Sequence, residues 1–469
     1  MRRMARGFLP YTLDQRLLLP PDMRAWLPEG HAALFVSDVV DAMDLTALYA
    51  ACETGDDRGR AGYHPAMMTK LLAYGYCFGV TSSRRLERAT YEDVAFRVLS
   101  GDQHPDHDSI AAFRKRHMVK LGELFVQMLE LCQKAGLVKL GHVAIDGTKE
   151  GANASKHKSM SYGRMGEAEA KLQAEVQKLL QEAERNDAVE DARYGKGKRG
   201  DELPEELQRR ESRLKKIGEA KAALEAEARA KAAAQAAEAK ARHEERARQE
   251  RETGKKPSGK GPAVPDVEQA KPDPKAQKNF TDPDSRIMPD GANKGSFVQG
   301  YNAQIAVDAE AQVIVAAEVT QQANDKQQLE PMAQAIVASV GRLAEVTSAD
   351  AGYFSEQAIE RVEVMGTELL VPPNRQKHGA GAPEATEPGV SSRTEPMRQK
   401  LRTPRAQALY RMRKAIVEPV FGQIKGARGI RRFALRGLEM ARAEWRFIAM
   451  THNLLKLFRH GPRKLAAAT

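Results

Sequence analysis

Two stretches of this chain, Gly166 to Arg185 and Glu205 to Arg251, are rich in Ala, Glu, Lys, Arg and Gln, and Gly218 is the one weak point in the second. These residues are strong helix formers, so both stretches are expected as long helices. Their apolar seam is mostly Ala with a few Leu, which predicts loose or solvent-exposed packing. Joined by the polar segment 186–204, they read as a long helical hairpin, and Gly254 to Gln277, rich in Lys, Pro and Gly, reads as a flexible linker behind it. Residues 148–278 are therefore expected as an insertion, and the fold has to be sought in the segments on either side.

Upstream, residues 1–137 read as a helical domain. Pro20-Pro21 and Pro28 break the opening, and apolar periodicity runs through Ala32 to Tyr49. After a Gly/Asp/Arg-rich turn at Gly55 to Gly62, Pro65 suits a helix start and Met67 to Phe78 is nearly all apolar. Thr81-Ser82-Ser83 offers a cap for Arg84 to Thr90, a short helix fits Tyr91 to Leu99, and Ser109 to Lys134 carries apolar residues at helical spacing.

Around the insertion the pattern changes. Val138 to Asp146 reads as a strand; after the linker, Tyr301 to Asp308 and Ala311 to Thr320 read as a hairpin about Ala309-Glu310. A helix over Asp325 to Leu343, a buried strand Val346 to Ala349, a helix Ser355 to Met365 and a strand Glu368 to Val371 come next. Pro383 to Pro404 is polar and reads as loose, and two helices, Arg405 to Lys425 and Ala441 to Phe458, close the pattern.

The 469 residues hold 74 Lys plus Arg against 63 Asp plus Glu, a net charge of +11. Such an excess favours a polyanionic partner without distinguishing DNA, RNA or an anionic membrane surface. No run approaches a membrane span, and Gly7-Phe8-Leu9-Pro10 is no signal-peptide core, so a soluble, cytoplasmic protein is expected. Cys52, Cys77 and Cys132 show no CxxC spacing, which argues against zinc and disulfides.

Three carboxylates stand where chemistry is expected. Asp146 ends the run His142-Val143-Ala144-Ile145, Asp350 ends Glu345-Val346-Thr347-Ser348-Ala349, and Glu418 lies in the helical Ala415 to Phe421 with Lys425 two turns on. Carboxylates that converge repel one another unless cations bind between them, and hard cations such as Mg²⁺ prefer oxygen ligands. Without the insertion the element order is β-β-β-α-β-α-β-α. That order matches the ribonuclease-H-like fold, in which the first carboxylate sits on strand one, the second just after strand four and the third on the last helix. The expected fold class is accordingly α/β: a ribonuclease-H-like catalytic domain over 138–460 with a mixed five-stranded sheet, an N-terminal all-α domain, the helical-hairpin insertion, and a basic tail at 461–469.

With these elements, the motifs Phe8-Leu9-Pro10-Tyr11, Leu18-Leu19-Pro20-Pro21, Asp146-Gly147-Thr148-Lys149, Thr281-Asp282-Pro283-Asp284-Ser285-Arg286, Gly300-Tyr301-Asn302-Ala303-Gln304, Ala349-Asp350-Ala351-Gly352-Tyr353, Glu444-Trp445 and His452-Asn453-Leu454-Leu455 make the chain resemble a bacterial insertion-sequence transposase with an Asp-Asp-Glu site. The resemblance implies that Asp146, Asp350 and Glu418 bind two Mg²⁺ ions, with Mn²⁺ as the alternative. It implies hydrolysis at the element's ends, joining of the freed 3′-hydroxyl to target DNA, and a homodimer in the active complex. It also implies a Tyr-Arg-Glu-Lys signature, here Tyr410, Arg413, Glu418 and Lys425. Tyr410 and Arg413 stand one residue further from Glu418 than the usual pattern, which leaves Arg411 and Lys414 as alternatives for the arginine. Those cations, with Lys149, would hold phosphates beside the scissile bond. By the same resemblance the N-terminal domain binds element ends, with Arg84, Arg85, Arg88, Arg114, Lys115 and Arg116 as DNA contacts and His117 a weaker member. The plainer reading of those clusters is a solvated helix face.

Other acidic and aromatic residues read as structural. Asp308 rivals Asp350 by ending a strand but fits a turn, Asp282 and Asp284 fit backbone capping in a Pro-containing turn, His142 and Trp445 fit the core, and Asn453 fits a bond to a neighbouring loop. Two further functions compete with an active transposase. One is a ribonuclease-H-like nuclease without strand transfer, and the other a catalytically silent DNA-binding protein.

Overall fold

The computed structural model describes residues 22–53, 62–194, 205–254, 259, 261–290, 295–373 and 394–460. The motifs at 8–11 and 18–21, most of the 55–62 turn, residues 195–204 of the 186–204 connection, residues 383–393 of the 383–404 segment and the tail at 461–469 lie outside the described residues. Two compact units emerge: Met1–Glu150 with Asn302–Thr320 and Asn324–Thr469, and Gly151–Tyr301 with Gln321–Ala323.

The first unit opens with α1 (Ala32–Asp41), α2 (Thr46–Glu53), α3 (Pro65–Cys77), α4 (Ser83–Glu92), α5 (Val94–Ser100) and α6 (His107–Lys134). Local chemistry sets these bounds. Pro65 opens α3, where its missing N–H is no loss. Asp93 caps α5 through Ala95 N–H at 2.8 Å, and Asp106 caps α6 through Ser109 N–H at 2.8 Å. Ser82 holds the cap position of α4 without a side-chain bond.

Then β1 (His142–Gly151) begins the sheet, running five residues past Asp146 rather than stopping there. The second unit contributes β2 (Ser159–Ser161), α7 (Tyr162–Tyr194), α8 (Glu205–Thr253), β3 (Gln277–Asn279) and β4 (Arg286–Pro289). The chain continues with β5 (Phe297–Asp308), β6 (Ile314–Thr320), α9 (Leu329–Val340), β7 (Val346–Ser348), α10 (Glu356–Val364), β8 (Glu368–Leu370), α11 (Thr394–Arg402), α12 (Pro404–Phe421) and α13 (Leu438–His460). Three short strands, β2 to β4, and helix α11 go beyond the sequence expectation. Each has three to nine residues, too few for periodicity to register.

The sheet of the first unit is mixed and runs β6-β5-β1-β7-β8. β1 and β7 are parallel with His142 opposite Val346 and Ala144 opposite Ser348; β7 and β8 are parallel with Ser348 opposite Leu370; β5 and β6 are antiparallel with Asn302 opposite Thr320. Val143, Ala144 and Ile145 are fully buried, as an interior strand between parallel and antiparallel neighbours requires. α13 locks onto β6: Asn453 accepts from Ile314 N–H and donates to Ile314 O, both at 2.8 Å, and the Trp445 indole N–H donates to Gln304 O at 2.9 Å. Asp308 is consumed as a turn residue, accepting the N–H groups of Leu140 at 2.7 Å, Glu310 at 2.9 Å and Lys139 at 3.2 Å. His142 donates to or accepts from Ser348 Oγ at 2.8 Å inside the sheet. None of Cys52, Cys77 and Cys132 is in a disulfide.

In the second unit, α7 and α8 pack through Met165, Leu172, Ile217 and Leu224. The pairs Glu175–Arg210 at 3.1 Å and Glu169–Lys221 at 2.7 Å advance in opposite directions along the two helices, which therefore run antiparallel. β2 pairs with β3, and β4 with the start of β5. Asp282 is fully buried; its side chain accepts the Tyr301 hydroxyl at 2.8 Å and its carbonyl accepts the Ser285 N–H at 3.1 Å.

Candidate active site

Sheet order decides what the site can be. β1 is flanked by β7, so the middle of β1 and the residue pair after β7 face the same region. Asp146 lies there on β1, half-buried, and Asp350 two residues beyond β7, where it caps a short 3-10 turn through Gly352 N–H at 2.8 Å. Burial raises Asp146 above the usual carboxylate range, and the nearby Asp350 charge adds to that; Arg413 and the Gly147 N–H at 2.8 Å pull it back.

Helix α12 supplies the cation. Arg413 is buried, donates to Asp146 Oδ2 at 3.0 Å, and stacks over the Tyr410 ring with 5.9 Å to its centroid. Tyr410 packs with Leu401 and Leu409 against Val346, Leu370 and Ala406, which fixes α12 over β7 and β8. Burial pushes the Tyr410 hydroxyl up in pKa, with Asp350 and Asp146 adding to the effect against Arg413. Arg411 and Lys414 are exposed, so the inward arginine of this helix is Arg413.

Pro419 interrupts the hydrogen-bond ladder of α12. It has no N–H for the Ala415 carbonyl, and Gln312 Nε2 donates to that carbonyl instead at 3.0 Å. Three residues later the helix widens into a π turn over Gly422–Ala427. A straight α-helix would place Lys425 about 120° round from Arg413 at 100° per residue. The wider turn takes up an extra residue and rotates Lys425 back toward β1. There Lys425 donates to Thr148 Oγ1 at 2.6 Å and Lys149 O at 2.8 Å, and pairs with Glu150 Oε1 at 3.0 Å. Glu150 is 1% exposed, and burial lifts its pKa to about 7 against the pull of Lys425.

A polar network backs the two aspartates. Asp325 accepts from Asn302 Nδ2 at 2.7 Å and Gln304 Nε2 at 2.8 Å, with Lys149 Nζ at 3.7 Å. The buried Tyr353 hydroxyl donates to Gln304 Oε1. Gly147 makes room for this: a Cβ there would stand 2.3 Å from Gln304 Nε2 and 3.0 Å from Asp325 Oδ1. Burial lowers the Lys149 pKa, while Asp325, Asp146 and Asp350 hold it up. Asp325 and Glu150 had no site role in the sequence reading, and Gln304 entered it only within the motif Gly300 to Gln304; the Gly after Asp146 was a local signal of close packing behind it.

The structure thus brings Asp146, Asp350, Lys149, Tyr410 and Arg413 together, with Lys425 further along β1. Glu418 stays outside this group, exposed on the other face of α12. Among the described residues, no group of three or more His, Cys, Asp or Glu side chains is placed to hold a metal ion.

Two family models match the chain. Residues 21–116 match a Transposase domain (DUF772), and residues 266–454 a Transposase DDE domain. Together they span well over half of it. The chain belongs to the insertion-sequence DDE transposases. No curated protein and no solved structure matches it. Membership makes this a DNA transposase, with DNA as the implied partner and divalent metals as the family's usual helpers. The DDE match starts at 266, so β1 with Asp146 lies upstream of it, separated by α7 and α8.

In the N-terminal part of the transposase, Arg84, Arg85, Arg88, Lys115 and Arg116 are exposed, with Arg88 paired to Glu92 at 2.8 Å. Arg114 differs from its neighbours and corrects the expectation of a surface cation. It is 7% exposed and donates to Thr81 O at 2.5 Å, because it shares the buried face of α6 with Ile110, Met118 and Leu121. His117 is buried on the same face, with Nε2 3.6 Å from Cys52 Sγ. Among the described residues no helix is long and apolar enough to cross a membrane.

Proposed function

We propose that this transposase binds the ends of its element, cleaves them by metal-assisted hydrolysis, and joins the 3′-hydroxyl to target DNA in a homodimeric complex. The single observation that supports the chemistry is the convergence of Asp146 and Asp350 from neighbouring strands onto Arg413. The strand order β6-β5-β1-β7-β8, in which the first three strands of the DDE part stand in reverse chain order before the last two, supports a ribonuclease-H-like arrangement.

Asp146 and Asp350 offer the kind of oxygen donor that a divalent cation prefers, though two carboxylates alone are fewer than such a site needs. Burial and the second carboxylate raise the Asp146 pKa, so a cation between the two would relieve repulsion that Arg413 and the Gly147 N–H now offset. Asp146 and Asp350 would hold the ion, with Glu418 from α12 as the third carboxylate of the proposal. Bound there, Mg²⁺ or Mn²⁺ would polarise the scissile phosphate and the attacking oxygen. The chain's own part is positioning. Arg413 and Lys149 present cations to phosphate oxygens, Tyr410 holds Arg413 in place, and the Asp325–Gln304–Tyr353 network fixes the sheet edge beneath. Arg84, Arg85, Arg88, Lys115 and Arg116 contact the backbone of the element ends.

The exposure of Glu418 favours one alternative, a silent DNA-binding protein. Strand cleavage and joining on labelled DNA carrying the element's ends, with Mg²⁺, decides between them. Cleavage and joining by wild type, lost in Asp146→Ala, Asp350→Ala and Glu418→Ala with DNA binding kept, supports the proposal. Binding without cleavage in any metal supports the alternative, and cleavage without joining a nuclease. Activity retained in Glu418→Ala removes that residue from the set.

A further inference from the structure

The second unit contains a cleft of about 880 Å³ whose described lining has no acidic side chain. One wall is a face of α8. Arg209, Arg213 and Lys216 succeed one another at helical spacing, so their side chains project the same way, with Ser212 between them. Lys158 and His157, on the short turn before β2, form the facing wall. The floor is apolar: Ile217 is 1% exposed, and Phe280 packs against the α7–α8 core.

This arrangement is built rather than incidental. Asn279, 1% exposed, donates to Ser155 O at 2.8 Å and Ser159 Oγ at 3.0 Å, and accepts from Thr281 N–H at 2.8 Å. Phe280 N–H donates to Lys158 O at 3.0 Å. The turn that carries Lys158 is therefore tied to β3 at several points. Elsewhere on α8, cations that face α7 meet carboxylates, as Arg210 meets Glu175 and Lys221 meets Glu169. On the cleft face Arg213 and Lys216 share the lining with Lys158. Such a concentration of like charge raises the free energy of the empty protein, and a polyanion relieves it.

We infer that this cleft is a second DNA-binding site, which takes the phosphodiester backbone of a duplex without reading its bases. From Arg209 to Lys216 the helix rises roughly 10 Å, enough to face about three phosphates of one strand. Lysine and arginine side chains supply phosphate contacts, which carry no sequence information of their own. The DNA identity of the polyanion rests on the transposase reading.

The test is the salt dependence of binding by the full-length protein, measured by fluorescence polarisation with a labelled duplex of arbitrary sequence. Arg213→Gln/Lys216→Gln should lower the slope of log affinity against log salt by roughly 2, about one per lost phosphate contact. Lys231→Gln/Lys240→Gln, a control on exposed residues of the same helix, should leave the slope as in wild type. Circular dichroism checks that both variants keep their helices. An unchanged slope in the cleft variant, an equal drop in the control, or no binding by wild type overturns the inference. So does a change of oligomeric state in the cleft variant with the DNA slope unchanged, which would assign the cleft to a protein partner. A slope that falls while no cleavage is ever seen leaves this site standing and sinks only the catalytic proposal.

Discussion

Strand β1 carries two acid–base pairs four residues apart that differ in everything except their chemistry. Asp146 pairs with Arg413 at 3.0 Å and Glu150 with Lys425 at 3.0 Å. Asp146 keeps 23% of its side chain exposed and has a second carboxylate beside it; the Glu150 side chain keeps 2% and has no other acid among its charge partners. An open pair next to a like charge can exchange its partner for a metal or a phosphate at low cost. A sealed pair cannot, because removing either partner strands a charge in a medium that solvates it poorly. The open pair is suited to chemistry and the sealed pair to holding the π turn against the sheet.

The largest effect that tests this contrast is at the open pair. Asp146→Asn or Asp350→Asn should lower strand cleavage by at least about 10³-fold, while folding survives because each substitution also removes like-charge repulsion. Cleavage assays together with thermal melting check both halves; a variant that unfolds would make the open pair structural. Next, Arg413→Gln should lower cleavage by roughly 10²-fold with duplex affinity changed far less, as expected of a group that acts at one phosphate. Asp325→Asn, which keeps the shape but weakens the acceptor for Gln304 and Asn302, should reduce cleavage by about tenfold. If its loss equals that of Asp146→Asn, Asp325 belongs among the reacting groups instead of behind them.

The two halves of this contrast were unequally legible. Asp146 and Asp350 come directly after apolar runs, and a buried run that stops at an acid is a local signal. Arg413 required the phase of α12: three basic residues, Arg411, Arg413 and Lys414, crowd one stretch, and only burial of the face with Val417 and Val420 selects the middle one. Arg114 misleads for the same reason. A run of four basic residues must wrap the helix, so its two ends, Arg114 and His117, meet the core while Lys115 and Arg116 face out. Glu150 and Asp325 were invisible because their partners lie 275 and 21 residues away, on elements whose neighbours the sequence does not name. Pro419 was the available sign that α12 would not run on unchanged to Lys425.

The smaller effects lie in stability and sharpen the sealed side. Glu150 has a folded pKa of about 7 against the ordinary carboxylate value near 4.5, so between those limits the folded state holds a proton that the unfolded state has released. Stability therefore falls as pH rises from about 4.5 to 7 and levels beyond, by about 3 kcal/mol in all. His452 acts oppositely: burial holds it down at about 3, so its contribution rises with pH up to the normal histidine range. The measurement is thus the difference between wild type and Glu150→Gln in urea denaturation at each pH. Relative to wild type, the variant should gain stability steadily across that window; a flat difference would mean that Lys425 fully compensates the buried charge. The scale is set by the α7–α8 pair Glu169–Lys221, where the lysine side chain is 32% exposed. Lys221→Gln should cost no more than about 0.5 kcal/mol and lose even that in high salt. A cost near that of the Glu150 pair would mean that burial is not what separates the two kinds of ion pair in this molecule.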